Sequence, residues 1–169
     1  MERVINWEDR LASLLPLYGH RNWIVIADSA YPAQSKPGIE TLFTGCEHAE
    51  VLGAVLDAIS SSIHVRANAF VDAELKLLTE TDAPGVSVLR HELNQRLAAY
   101  NKHELMHERL IRRIDQAGIL FRILILKTTL AIPYSSVFLE LNCGYWSDNL
   151  ETRLRNFEVE ETVSEFPPG

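Results

Sequence analysis

The chain has 169 residues, 47% of them hydrophobic and 23% charged, with a net charge of -7, which fits one globular domain with a sizeable core. The negative balance argues against a broad nucleic-acid surface and against an anionic membrane as partners, since both select for an excess of Lys and Arg. Cys46 and Cys143 are too few for a disulfide framework and lack metal-pair spacing, so both are expected to be buried thiols.

The first residues, Met1 to Glu8, carry charges where a secretory signal needs an apolar core. The longest apolar run, Ile119 to Leu126, contains Arg122 and is too short to span a bilayer. A cytoplasmic protein is the expectation. Leu11, Leu14 and Leu15 fall on one face and predict a helix over 8–18, capped by Asn6 or Asp9 and ended by Gly19. Trp23 to Ala27 reads as a short buried strand, 29–40 as a loop with Pro32, Pro37 and Gly38, and Thr41 to Thr44 as a short strand. Val51, Leu52, Val55, Leu56 and Ile59 share one side of a predicted helix over 47–61. Ile63 to Phe70 alternates with period two, as a strand with one solvated face does. Pro84 and Gly85 open a predicted helix to about Ala99, and a second is expected over 102–116, ending at Gly118. Phe121 to Lys127 is an apolar strand, Pro133 marks a turn, and Val137 to Leu141 is a final strand. Helices and strands alternate throughout, which predicts an α/β single-domain sheet with helices packed on its faces, over residues 1–146. The remainder, 147–169, is rich in Glu, ends in Pro-Pro-Gly, and reads as an acidic C-terminal extension, an appended arm or partly disordered end.

Three polar groupings carry possible chemistry. His20 precedes the first buried strand and Asp28 follows it. An imidazole titrates near neutral pH, and a carboxylate can orient it or hold a hydroxyl. The structural alternative for His20 is a helix-end histidine facing carbonyls. His103-Glu104-Leu105-Met106-His107 matches H-E-x-x-H, which on a helix presents two imidazoles to zinc with Glu104 as base. No histidine follows to supply a third ligand, and the alternative is a charged helix face. Tyr134 follows Pro133 in the link between the last two strands, so a stiff backbone aims its phenol, either onto the core or toward a substrate oxygen. His48 and His91 have surface readings on helices, and His64 is expected to be solvated on its strand.

Four landmarks stand in order along the chain: Gly19-His20; Ile26-Ala27-Asp28-Ser29-Ala30-Tyr31-Pro32; Tyr100-Asn101-Lys102-His103-Glu104; and Pro133-Tyr134-Ser135-Ser136-Val137-Phe138-Leu139. Together they resemble the D-ribose pyranase and L-fucose mutarotase family over roughly residues 8–146. The resemblance implies that family's fold, and a site built from His20, Asp28, His103 and Tyr134 as catalytic groups, with Ser136 and Lys127 binding the sugar. Ser136 stands where the family has asparagine, offering one hydroxyl in place of an amide. Lys127-Thr128-Thr129-Leu130 replaces an Arg-x-Gly-Glu type segment, and Ala30 replaces the glycine or histidine of the two branches.

The activity so implied is interconversion of anomers or ring forms of an aldose such as ribose or fucose. Ring opening removes a proton from the anomeric hydroxyl and delivers one to the ring oxygen, which groups of near-neutral pKa catalyse without a metal or redox cofactor. His20 and His103 are the expected acid/base pair, with Asp28 orienting or binding. The resemblance also implies ring-like homo-oligomers, often decameric, with the site close to a subunit boundary. The competing readings are a sugar-binding protein without turnover, a zinc hydrolase using His103, Glu104 and His107, and a structural subunit whose acidic tail recruits another protein.

Overall fold

The computed structural model describes residues 6–164. Its centre is built by two runs that never alternate. Strand β1 (Trp23–Ala27) is buried at every position, and β5 (Ile123–Lys127) is buried at its first four. Runs of this kind belong to central strands covered on both faces. They pair in parallel, with Trp23 opposite Ile123 and Ala27 opposite Lys127. β2 (Ile39–Phe43) flanks β5 in parallel, and β6 (Val137–Cys143) flanks β1 antiparallel. β3 (Val65–Asp72) and β4 (Asn101–Leu105) complete one six-stranded sheet, in the order β2-β5-β1-β6-β3-β4.

Because β6 runs against the other five, the carboxyl ends of β1 to β5 and the start of β6 lie on one edge of the sheet. The residues before β1 and the end of β6 lie on the opposite edge. The length of β1 separates them, about 17 Å for five extended residues.

Side-chain alternation sorts the core into two layers. Ile24, Ile26, Leu124, Leu126, Val137 and Leu139 face α1 (Trp7–Leu14), α2 (His48–Ser60) and α3 (Val86–Arg96). Trp23, Val25, Ile123, Ile125, Phe70 and Phe138 face α4 (His107–Leu120), which seals them with Leu110 and Ile114. Gly38 and Gly118 let α4 come close to β2: a Cβ on Gly38 would stand 2.9 Å from the Gly118 carbonyl oxygen. A last helix, α5 (Asp148–Ser164), follows the sheet, so the first part of the expected arm is helical. Among the described residues no helix is long and apolar enough to cross a membrane.

Two expected helices end differently. The first gives way to a 3-10 turn at Leu15–Leu17, just after its last residue Leu14. The helix expected over 102–116 is strand β4 followed by α4. The short segment Asn101–Leu105 is polar because it is an edge strand of the sheet, exposed except at His103 and Leu105, which are half-buried.

Candidate functional site

The carboxyl edge gathers the chain's polar chemistry. Asp28, one residue past β1, is half-buried, and Ser136, one residue before β6, is buried. The Ser136 hydroxyl donates to Asp28 Oδ1 at 3.0 Å, and the Asp28 N–H returns a bond to Ser136 Oγ at 3.3 Å. The Ala30 N–H donates to Asp28 Oδ2 at 3.3 Å, so both carboxylate oxygens are engaged and the group is held fixed. Thr128 buttresses the strand end, its hydroxyl and its N–H both donating to the Ala27 carbonyl.

Two strands away, Asp72 ends β3 and His107 opens α4. His107 Nδ1 lies 3.0 Å from Asp72 Oδ1. The His107 N–H donates to both oxygens of Glu74 at 3.0 and 3.1 Å, anchoring the helix start with a carboxylate where the helix dipole favours one. An ionised carboxylate only accepts, so this pairing puts the proton on Nδ1 and leaves Nε2 as the basic nitrogen. The Asp72 side chain is 1% exposed, and its Oδ2 is buried with no partner. Burial pushes its carboxyl up to about 6, against the pull of His107 and with the charges of Glu74 and Asp28 adding to the rise. The Tyr31 hydroxyl is likewise buried without a partner, and burial, then the charges of Asp115, Asp72 and Asp28, hold its pKa above the usual phenol value.

Tyr134 closes the group. Its ring meets that of His107 edge-on, with centroids 5.5 Å apart. Its φ is 57°, a left-handed conformation that a bulky residue adopts only where its surroundings impose it. Lys127 ends β5 on the same sheet face as Ile123 and Ile125.

His20 is not in this group. It is exposed on the opposite edge, with Nδ1 3.0 Å from Asn142 Oδ1 near the end of β6. His103 lies within β4, opposite Phe70 and stacked on its ring with centroids 4.9 Å apart. The imidazole beside Tyr134 is therefore His107. The H-E-x-x-H string straddles a strand end and a helix start, so its two imidazoles do not share a helix face, and the helix geometry of the zinc reading is absent.

The chain matches the model of the RbsD / FucU transport protein family over residues 2–144. It belongs to that family. Among solved structures it is similar to RbsD of Bacillus subtilis complexed with D-ribose, at 16% identity and a TM-score of 0.60, covering 84% of this chain and 98% of that one. It is also similar to the fucose mutarotase of Streptococcus pneumoniae in complex with L-fucose, at 18% identity and a TM-score of 0.56, covering 83% and 97%. FucU of Bifidobacterium longum aligns at 19% identity and a TM-score of 0.52, over 84% and 98%. No curated protein sequence matches the chain. At these identities the structures share the fold, as the sequence landmarks imply.

Two site features escape the sequence reading. Asp72 sits at the end of an apolar strand, and nothing in its neighbourhood marks it. His48 is 3% exposed rather than on the surface, and burial pulls its imidazole down to about 4, with backbone groups of Ile26 and Ser135 and the Asp28 charge opposing. Its burial has a signal in the spacing: 48 precedes 52 by four and 55 by seven, the apolar face of α2. His64 is half-buried, with Nε2 2.9 Å from the Leu15 carbonyl.

Proposed function

We propose that the chain is a monosaccharide mutarotase or pyranase whose site is completed by a second copy of itself. The observation that carries this reading is the convergence on one sheet edge of a clamped carboxylate (Asp28 with Ser136), a carboxylate-oriented imidazole (His107 with Asp72) and a phenol (Tyr134). This is the equipment that hydroxyl binding and proton transfer on an aldose need. Family membership and the ribose and fucose complexes of similar folds support the same substrate class.

In this reading Asp28 and Ser136 hold sugar hydroxyls, with Lys127 at the rim. His107 Nε2 takes the proton of the anomeric hydroxyl. As the carbonyl forms, the bond from the anomeric carbon to the ring oxygen breaks, and a proton is delivered to that oxygen. The reverse proton transfers close the ring on either face of the aldehyde, or through another hydroxyl, and no atoms are gained or lost. Tyr134 positions the ring. His107 takes the part that the sequence landmarks give to His103, because His107 is the imidazole at the strand ends.

His20 is the proton donor to the ring oxygen, from a neighbouring copy. Within one chain it lies a strand length from Asp28. A head-to-tail contact that sets the His20 edge of one copy against the Asp28 edge of the next brings the groups together. Repetition of such a heterologous contact builds a ring where its rotation closes. Residues 1–146 form the mutarotase-like domain in this proposal, and 147–169 the extension.

Saturation-transfer proton NMR on ribose and fucose tests the reading. Accelerated exchange between anomeric signals is expected for one of them. Absence of acceleration for every aldose in a wider panel would refute turnover.

A further inference from the structure

The edge that carries His20 also carries a cavity of about 570 Å³. One wall is the sheet edge, with His20, Arg21, Arg66 and Asn142. The other is supplied by Trp146, Asp148, Glu151 and Arg155, which all lie beyond residue 144, where the family match ends. The cavity falls in the size range of sites for drug-sized ligands and is larger than a lone pentose or hexose requires. The extension has therefore added a wall next to a residue of the proposed site.

The chemistry of the lining selects a ligand. Three arginines face two carboxylates there, in a chain whose net charge is -7. Both carboxylates are already answered. Asp148 accepts from Arg66 at 3.1 Å, and Glu151 accepts from Arg155 at 3.0 Å and from the Trp146 indole N–H at 2.9 Å. Arg21 is different: among the described residues its guanidinium has no carboxylate partner, and it stands between this cavity and a neighbouring one, over the Phe121 ring of the latter, 5.7 Å from the centroid. Arg21 also holds φ at 74°. That conformation belongs to the turn that the Asn22 N–H closes on the Gly19 carbonyl at 3.1 Å, which carries Arg21 at this edge of the sheet. His20 spends Nδ1 on Asn142 and keeps Nε2 free. Trp146 lines the cavity and spends its N–H on Glu151, and an indole ring suits the apolar face of a sugar.

We infer that this cavity is a subsite for a sugar bearing an anionic substituent, with Arg21 binding the phosphate or carboxylate, Trp146 stacking on the sugar and His20 reaching its ring. This rests on the mutarotase reading and narrows its substrate class: the substrate spans the Asp28 edge of one copy and the Arg21 cavity of the next.

The test is calorimetric titration of the full chain with two matched pairs, D-ribose against D-ribose 5-phosphate and D-galactose against D-galacturonate, with anomer exchange followed in parallel. An anionic member binding at least about tenfold more tightly than its neutral partner is expected, and which pair shows it separates phosphate from carboxylate. The preference should collapse in Arg21→Gln, and affinity for both members should fall in Trp146→Ala. Equal affinities within both pairs, a preference that Arg21→Gln leaves intact, or unchanged affinities in Trp146→Ala would each overturn the subsite. Accelerated exchange of a neutral sugar without an anionic preference defeats the subsite and leaves the mutarotase reading standing. Arg21-dependent binding of an anionic sugar without exchange keeps the subsite and defeats turnover.

Discussion

Replacing Asp72 by asparagine separates stability from function. The carboxyl is buried, one of its oxygens has no partner, and its pKa stands at about 6, against 3.8 in the unfolded chain. A rise of about two units corresponds to about 3 kcal/mol between the two protonation states. For a raised carboxyl, the folded chain keeps a proton that the unfolded chain releases between about pH 4 and 6. Its contribution therefore favours folding at the acid end and is lost as pH rises through 6. Asparagine carries no charge at either end. The stability of Asp72→Asn minus that of the wild-type chain should climb by up to about 3 kcal/mol from pH 4 to pH 7.5. Urea denaturation of both chains at four pH values reads this difference, at one fixed protein concentration because assembly makes stability concentration-dependent. The same variant should lose anomer exchange on the order of 10²-fold, because asparagine no longer dictates which nitrogen of His107 carries the proton. A variant more stable and less active is the signature of a group kept for function at the expense of folding. A stability difference that is flat or falls with pH would refute the burial argument. Undiminished exchange would remove His107 and Asp72 from the mechanism.

Other substitutions probe the remaining parts. His48 has the opposite slope: its imidazole is depressed to about 4, so its neutral burial favours folding above pH 6.5 and that advantage is lost as pH falls toward 4. Thermal melts should show the wild-type chain losing up to about 3 kcal/mol relative to His48→Leu across that range. Ser136→Ala unties Asp28 Oδ1 and should cost about 1 kcal/mol of stability together with a clear fall in exchange, read by denaturation and by NMR. Gly144→Ala would drive a Cβ onto the backbone of Ile63 and Val65, and should lower stability by about 2 kcal/mol or more in the same melts while leaving the chemistry of the carboxyl edge alone.

The parts of the fold legible in the sequence are those where local pattern and tertiary role agree. β1 occupies Trp23–Ala27, as its unbroken apolar run predicts, and α2 is within a residue of its predicted bounds at both ends. β4 is the instructive failure. Its five residues, Asn-Lys-His-Glu-Leu, become a strand because β3 offers them a hydrogen-bonding edge, and that partner lies some thirty positions away. Taking the segment as helix merges it with α4, and the merged helix makes H-E-x-x-H look like one motif and hides the break that sends His103 and His107 to different places. Asp28, Tyr134 and Ser136 are recognisable because each abuts a strand whose end is plain. The separation of His20 from them depends on β6 running antiparallel to β1, which no local pattern encodes.

The most direct test is complementation between two damaged copies. His20→Ala and Asp28→Asn are prepared separately, mixed in equal amounts, unfolded and refolded together, and anomer exchange of the sugar turned over by the wild-type chain is measured. If each site draws His20 from one copy and Asp28 from its neighbour, each variant alone is inactive and the mixture regains about a quarter of wild-type exchange, because random head-to-tail contacts rebuild that fraction of intact sites. A mixture as inactive as its components, or a His20→Ala chain with full exchange by itself, would contradict a site shared between copies.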